Sequence, residues 1–275
     1  MKTIVITGGT DGIGRYLAGV YAVRGDRVVV IGRHPEKGER FAAAAGSNVR
    51  FLRADLDLLS DNRALIEELR NSYPVLDALV LCARFYRSAR YETPEGIEST
   101  FAHFYLSRYL FGHELREALE RSGNPVIMNV AGPGADLSAV QWNDIQFERY
   151  YSGGAALGQG GKLNDLLGVS FAAQYPDGKT RYVLLHPGVT ATGQTGEYDP
   201  ATALMVENMR RFGKPIPAAA KPIVDLIDAP PADILSAFVE GRRIPIRGRG
   251  FDSNAADHLN ELTRKFLASH RESAR

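Results

Sequence analysis

Hydrophobic residues along this chain alternate between short continuous runs and longer stretches of helical spacing. The runs "TIVIT" (3–7), "RVVVIGR" (27–33) and "LDALVLCA" (76–83) are apolar on both faces, as buried parallel strands are. After the first run, apolar residues recur every three or four positions, beginning with Ile13 and Leu17. This alternation predicts a doubly wound parallel sheet of the Rossmann type, with helices on both faces.

Later segments continue the pattern. Further strands are predicted at "NVRFLRADL", "PVIMNVAG" and "TRYVLLHPG", and helices at "RALIEELRNSY", "GIESTFAHFYLSRYLFGHELREALERSG" and "GKLNDLLGVSFAAQY". No repeat or linker divides the chain, so we expect a single domain over residues 1–275. Residues 194–250 are less regular and contain many prolines. We expect a substrate-side lid and one helix there, followed by a strand or turn at "GRRIPIRGRG".

Composition narrows the class of protein. With 44% hydrophobic and 24% charged residues, the chain has the make-up of a soluble globular domain, and its net charge of +1 predicts neither nucleic acid nor an anionic membrane as a partner. A single cysteine, Cys82, excludes an intramolecular disulfide framework. We find no signal-peptide pattern, no membrane-length apolar run and no metal-ligand spacing. We therefore expect a cytoplasmic protein that acts on a small molecule.

The segment "TGGTDGIG" follows the first predicted strand and begins the first predicted helix. Its glycines, Gly8, Gly12 and Gly14, let the backbone turn tightly and approach a pyrophosphate closely. The helix N-terminus offers that pyrophosphate unpaired N–H groups and a positive potential. The sequence therefore predicts a dinucleotide site here.

Together with "DL" at Asp55 and with "HPGVTAT" from residue 186, the Gly-x3-Gly-x-Gly spacing resembles the short-chain dehydrogenase/reductase family. The segments "ETPEGIESTFAHFYLSRYLF", "WNDIQ" and "GKLNDLL" are similar to its retinol-dehydrogenase-like branch. The resemblance covers residues 3–193. It implies an oxidoreductase that uses a nicotinamide dinucleotide, and a homodimer that pairs through the long helix.

The resemblance also implies which positions contact the cofactor. They hold the pyrophosphate and ribose, flank the adenine, or lie beside the nicotinamide, whose ribose would accept a hydrogen bond from Lys162. These positions are Thr7, Gly8, Gly12, Ile13, Gly14, Asp55, Leu56, Ala83, Lys162, Pro187, Gly188 and Thr192.

The end of the second strand predicts the cofactor type. An acidic residue there would bind a free ribose diol, but this chain has Arg33, with His34 and Lys37 nearby. Because arginine can pair a 2′-phosphate with two hydrogen bonds, we expect NADP(H) rather than NAD(H). Asp11, inside the glycine loop, argues the other way.

The catalytic positions implied by the resemblance have lost their polar residues, with one exception. Lys162 fills the lysine position. The tyrosine position is Gly158, or Leu157 if the segment holds an insertion; the serine position is Gly132, and the asparagine position is Phe104. We therefore expect a non-standard active site that retains the lysine but lacks its acid.

Other side chains are candidates to replace the missing acid, although each also has a plainer interpretation as a packed or solvated residue. Two tyrosines lie too far before Lys162 for the usual pairing, two residues bracket the asparagine position, and three arginines and a cysteine lie at or after the end of the fourth predicted strand. The candidates are Tyr150, Tyr151, His103, Tyr105, Arg84, Arg87, Arg90 and Cys82.

Two functions remain open. The first is an enzyme acting on a bulky, polycyclic molecule, either by hydride transfer to an activated carbonyl or enone, or by a non-redox step such as cyclisation or dehydration. The glycines of "SGGAALGQGG" would leave room for such a substrate. The second is a catalytically inactive protein that senses the cofactor or binds a partner.

Overall fold

Eight strands form the central sheet of the protein, whose computed structural model describes residues 1–272. The strands are β1 (Thr3–Thr7), β2 (Arg27–Gly32), β3 (Val49–Arg53), β4 (Ala78–Leu81), β6 (Val126–Val130), β7 (Arg181–His186), β9 (Leu235–Val239) and β10 (Arg242–Ile244). They lie in the order β10-β9-β7-β6-β4-β1-β2-β3, and all are parallel except β10, which is antiparallel to β9. A separate parallel pair joins β5 (Tyr86–Arg87) to β8 (Gly196–Glu197). The Rossmann-type fold class is confirmed.

Helices cover both faces of this sheet. They are α1 (Gly12–Val23), α2 (Pro35–Ala45), α3 (Leu59–Ser72), α4 (Ser99–Phe101), α5 (Ser107–Glu114), α6 (Arg116–Glu120), α7 (Gly153–Gln174), α8 (Pro200–Phe212), α9 (Ile216–Asp228) and α10 (Ser253–Glu272). Alternate strand residues serve opposite faces: Val5 and Val29 pack with α3, α5, α7 and α10, whereas Ile4 and Val28 pack with α1 and α9. Burial on both faces explains why the strands contain continuous apolar runs.

The strand order places a crevice between β1 and β4. From β1 the chain winds outwards to β2 and β3, and it then returns to β4 on the other side of β1. Ligands of open α/β sheets bind at such a reversal, beyond the carboxyl ends of the strands. The residues that follow β1, β4, β6 and β7 therefore determine the candidate site.

The long helix predicted around residues 96–123 is interrupted twice. Residues Ala102–Leu106 form a π-helical turn between α4 and α5, and Leu115 separates α5 from α6. A π-turn inserts one extra residue per turn and is frequent at functional sites. It lies here at the edge of the crevice, where hydrophobic periodicity alone could not reveal it.

The prediction for residues 194–250 is only partly correct. Residues Gln194, Thr195 and Met209 border the crevice, as expected of a lid. Residues 235–244, however, form β9 and β10 and extend the central sheet. The sequence prediction also missed α10, whose polar residues hide a strongly amphipathic helix.

Helix α10 changes the expectation of a dimer through the long helix. Every residue from 97 to 112 is buried within this single chain. Tyr105 Oη lies 2.7 Å from Thr263 Oγ1 of α10, and Tyr109 donates to Asn260 Oδ1 at 3.0 Å. Helix α10 covers the expected pairing surface within this chain, and a dimer through the long helix stays a prediction from the sequence. Among the described residues, no helix is long and apolar enough to cross a membrane.

Candidate active site

One cleft of about 570 Å³ opens at the carboxyl ends of β1, β4, β6 and β7. It brings together most of the positions predicted to contact a cofactor. The expected residues that line it are Gly8, Gly12, Ile13, Gly14, Arg33, Leu56, Ala83, Pro187, Gly188 and Thr192. Thr7, Asp55 and Lys162 are not among the lining residues.

The glycine loop is shaped by close backbone approach. Gly8 and Gly12 have positive φ angles of 67° and 52°, which side chains rarely tolerate. A methyl group on Gly8 would lie 2.7 Å from the Cα atom of Ala83, so the loop packs directly on the segment after β4. Beyond the loop, Ile13 and Gly14 line the cleft in the first turn of α1, where N–H groups have no helical acceptor. This arrangement fits a pyrophosphate.

The edge of the cleft opposite the catalytic positions is lined by Arg33, His34 and Lys37. We call these three residues the arginine end. The Arg33 guanidinium lies 4.4 Å from the centre of the Phe85 ring and 4.0 Å from Asp55 Oδ1. The contact with Asp55 is long, so the guanidinium retains donors for an anion. Asp55 does not itself line the cleft but lies beside Arg33, which does.

A buried charge cluster lies behind the arginine end. Asp57 accepts a hydrogen bond from Ser99 Oγ at 2.6 Å, and its Oδ1 lies 2.9 Å from Nδ1 of His103. Arg87 lies 3.8 Å from Asp57 and pairs with Glu197. Burial opposes ionisation of Asp57, but the contacts with His103 and Ser99 lower its pKa to about 2. Of these residues His103 lines the cleft, so the sequence candidate beside the asparagine position does face it.

Helix α7 presents a stripe of small residues to the other end of the cleft. Gly154, Leu157, Gly158 and Gly161 all line it, and their spacing of three and four residues is that of one helix face. Residues 153–174 form an uninterrupted α-helix, so no bulge absorbs an insertion. Two pairs on this stripe have the tyrosine-lysine spacing of four residues, Gly154 with Gly158 and Leu157 with Gly161, and the second contains the alternative tyrosine position, Leu157.

Lys162, which was predicted to contact the cofactor, does not line the cleft in this structure. One residue rotates a helix by about 100°, which carries Lys162 to the flank of the stripe. Its side chain is fully buried; Nζ donates to Asp165 Oδ2 at 2.6 Å and to the carbonyl of Gly250. Asp165 also accepts from the amide of Gly134 at 3.0 Å. Lys162 thus links α7 to the segment that precedes α10.

The asparagine and serine positions line the cleft as predicted, and both are non-polar. The Phe104 ring faces the guanidinium of Arg108 at 4.4 Å. A methyl group on Gly160 would come within 2.6 Å of this ring, so the glycine on α7 accommodates the phenylalanine. Gly132, in the serine position, leaves open space that a side chain would otherwise fill. The non-polar residues at these positions are therefore sterically compatible with their neighbours.

Arg108 connects the ends of β4 and β6. Its guanidinium is fully enclosed and donates to the carbonyls of Ala83 and Val130, each at 2.9 Å, and to Asn129 Oδ1. These three acceptors belong to the segments that end β4 and β6. A buried cation is stable there because each hydrogen bond is to an oriented oxygen. Arg108 could not be identified from the sequence, since nothing local marks it as buried.

His186 is a polar group at the α7 end, where it lies beside Gly132. Its Nδ1 accepts the N–H of Gly188 at 3.2 Å, which leaves the proton of a neutral ring on Nε2. A methyl group on Gly132 would lie 3.7 Å from Cδ2, so the Nε2 edge of the ring points towards the empty serine position. Burial lowers the pKa of His186, and the charges of Arg84 and Lys214 lower it further, against the effect of Glu240. His186 was visible in the sequence only as part of "HPG".

Most of the remaining candidates lie away from the cleft. Tyr150 is exposed, Tyr151 donates to the carbonyl of Arg87 at 3.3 Å, and Tyr105 is buried against α10. Cys82 does line the cleft, but burial raises the pKa of its thiol to about 12, so it is not a thiolate nucleophile at neutral pH.

Comparison with known proteins agrees with this geometry. Residues 2–142 match the family model of short chain dehydrogenases. A Streptomyces sp. (strain C5) protein named "Putative daunorubicin C-13 ketoreductase DnrU" is 32% identical over 272 residues, which cover 95% of this chain and 91% of that protein. Mouse (Mus musculus) retinol dehydrogenase 11 is 28% identical over 192 residues, 68% of this chain and 61% of its own length.

A solved structure has the same fold. The 3-ketoacyl-(acyl-carrier-protein) reductase of Brucella melitensis, in complex with NADH, aligns with a TM-score of 0.65 and 22% identity. The alignment covers 88% of this chain and 98% of that one.

Proposed function

The chain belongs to the short-chain dehydrogenase family, within its retinol-dehydrogenase-like branch, and we propose that it is an NADP(H)-dependent reductase of a bulky, polycyclic small molecule. The reaction that fits best is reduction of an activated carbonyl or enone. The observation that carries the proposal is a single cleft that joins an intact glycine cradle to a glycine-lined face of α7.

The residues of the cradle fit a dinucleotide. Gly8 and Gly12 leave room for a pyrophosphate, and the first turn of α1 supplies N–H donors to it. Arg33 and Lys37 at the arginine end favour a 2′-phosphate over a free diol. When bound, the reduced cofactor supplies a hydride. NADPH is therefore the proposed partner of this end.

The chemistry at the α7 end has to proceed without the tyrosine acid. Leu157 and Gly161 can neither donate a proton nor lower the pKa of a neighbour, and loss of a general acid costs roughly 10² to 10⁴ in rate. An activated enone or a ketone beside an internal phenol tolerates this loss, because the substrate itself stabilises the developing negative charge. We assign the remaining stabilisation to Nε2–H of His186, which would donate to the substrate oxygen.

The size of the α7 face supports a polycyclic substrate. Gly158 has nothing within 4 Å of an added methyl group, and Gly154 and Gly161 extend the same surface. The relative named for daunorubicin C-13 ketoreduction matches nearly the whole chain and supports a polycyclic ketone. A flat ring system fits a smooth glycine surface better than a short polar substrate does.

The proposal is tested by two measurements on the purified protein. NADPH is first titrated by fluorescence, and its oxidation is then followed at 340 nm with quinones, enones and polycyclic ketones. We expect binding, turnover of part of the panel, and loss of that turnover in His186→Leu with NADPH affinity retained. Binding without oxidation across the panel would contradict hydride transfer and leave a non-redox reaction or the sensor described below, which differ in whether a panel compound is turned over.

A second candidate function is a cofactor sensor without catalysis. It is favoured by one observation: the four catalytic positions that line the cleft hold Gly132, Phe104, Leu157 and Gly161. NADPH binding with neither oxidation nor turnover of any panel compound would support it.

A further inference from the structure

Arg84 is a cation in the cleft that has no acidic partner among the described residues. It immediately follows Ala83 and lines the cleft. Its guanidinium donates to the neutral amide oxygen of Gln194 at 2.8 Å, and no carboxylate among residues 1–272 forms an ion pair with it. Burial lowers the pKa of Arg84, yet its side chain remains accessible from the open side of the cleft. An arginine in such surroundings stays charged at neutral pH.

The other arginines of the same loop are neutralised. Arg87 pairs with Glu197 and lies close to Asp57, and Arg90 donates to Glu92 at 3.0 Å. Two of the three arginines of this loop therefore have acidic partners within the protein, and the third, Arg84, faces the cleft. A guanidinium offers five donors in a planar fork, of which the amide of Gln194 uses part.

Among the described residues, the groups that act on Arg84 are polar and aromatic rather than acidic. Tyr86 and Tyr198 stack on each other at 5.7 Å, and their hydroxyls act electrostatically on Arg84. The charge of Arg84 also reaches His186 at the α7 end. The described acidic residue that lines the cleft is Asp11, which is engaged in the glycine loop with the amide of Gly12 at 2.7 Å.

We infer that Arg84 binds an anionic group, a carboxylate or ionised phenol, of the substrate at the α7 end of the cleft. The inference rests on the proposed function, because the proposed function assigns the arginine end of the cleft to the cofactor and leaves the α7 end to the substrate. The pyrophosphate of the cofactor is also an anion, so it could pair with Arg84 in the same way as an anionic group of the substrate. The experiment therefore has to separate these two sources.

The probe pair is anthraquinone-2-carboxylate and its uncharged carboxamide, which share one polycyclic ring system. Their affinities are measured by calorimetry for the full-length protein, with and without saturating NADP⁺. We expect the carboxylate to bind about 10-fold to 100-fold more tightly than the carboxamide, because a hydrogen-bonded ion pair adds to the ring contacts. The preference should shrink as the salt concentration rises.

Arg84→Gln should bring the two affinities within about threefold of each other, and Arg84→Lys should restore part of the preference by charge alone. Arg90→Gln is the matched control: it removes the same charge from the same loop, but from a residue that does not line the cleft. We expect it to leave the preference unchanged. NADPH affinity of Arg84→Gln should stay within about threefold of the unmodified protein.

Each outcome decides between explanations. Equal affinities for the two probes, or a preference that survives Arg84→Gln, overturns the inference. A large loss of NADPH affinity in Arg84→Gln without a change in probe preference assigns Arg84 to the cofactor instead. A protein that fails to bind NADPH contradicts the proposed function, whereas the probe preference and its dependence on Arg84 are still measured without nucleotide.

Discussion

Lys162 Nζ lies 2.6 Å from Asp165 Oδ2, and both side chains are completely excluded from solvent. Burial raises the pKa of Asp165 to about 6, against the opposing effect of Lys162. The pair is therefore part of the interior, and the lysine that resembled a catalytic residue connects α7 to the chain before α10.

Lys162→Met should destabilise the fold without weakening cofactor binding. Removing one partner of a buried ion pair leaves an uncompensated charge and costs about 3 to 5 kcal/mol. We expect this loss in urea denaturation, with NADPH affinity of the folded protein within about threefold. The double variant Lys162→Met/Asp165→Leu should recover much of the stability. A stable single variant that no longer binds NADPH would return Lys162 to the cofactor site.

Arg33→Ala should lower NADPH affinity about 10-fold to 100-fold and leave NADH affinity nearly unchanged. The reason is loss of charge-assisted hydrogen bonds to the 2′-phosphate, each worth about 1.5 to 3 kcal/mol. Fluorescence titration of both nucleotides measures the change. Arg40→Ala, an exposed charge on α2 outside the cleft lining, serves as the control. Equal losses for the two nucleotides would contradict the proposed NADP(H) preference.

Leu157→Tyr/Gly161→Lys should raise the rate of ketone reduction by roughly 10² to 10⁴, because it places a tyrosine acid and its lysine on the cleft-facing stripe of α7. A side chain fits at residue 161, where an added methyl group would lie 3.7 Å from the carbonyl of Gly132. NADPH oxidation measures the gain. The control variant Leu157→Phe/Gly161→Met fills a similar volume without either polar group. A similar rate in both double variants would refute the assignment of residues 157 and 161 to the tyrosine and lysine positions.

His113 should destabilise the fold as the pH is lowered from about 6.5 to about 4, whereas Asp165, whose pKa is raised, acts in the opposite direction. Burial, helped by Arg116, lowers the pKa of His113 to about 4, so in this window the unfolded chain binds a proton that the folded protein does not. The shift corresponds to about 2 to 3 kcal/mol after allowance for partial exposure. His113→Phe, within the ring cluster of Tyr109 and Phe171, should remove the His113 contribution to the pH dependence in denaturation curves. Identical slopes would exclude His113 as the cause.

The protein should be a monomer of about 30 kDa in light scattering. Helix α10 packs on Tyr105 of the π-helical turn and on Tyr109 of α5, and its own Leu259 is buried, so α10 already covers the surface that a second subunit would use. Leu259→Asp should loosen α10 and promote association at that surface. A dimer of the unmodified protein would contradict the prediction.

The sequence by itself determined the parallel sheet and the glycine cradle. Both follow from local rules: residues buried on two faces of a strand are continuously apolar, and Gly8 and Gly12 adopt positive φ angles wherever the chain lies in space. Arg33 was likewise predictable, because its place at the end of β2 follows from strand position alone.

Only the tertiary structure decided which side chains reach the chemistry. A shift of one residue rotates a helical side chain by about 100°. The family spacing therefore selected Lys162, whose side chain points into the interior, rather than Gly161, which lines the cleft. Residue spacing also could not reveal that the carbonyl of Gly250 would accept a hydrogen bond from the lysine, or that Arg84 would have no carboxylate partner among residues 1–272. These facts depend on contacts between residues far apart in the chain, and such contacts exist only after folding.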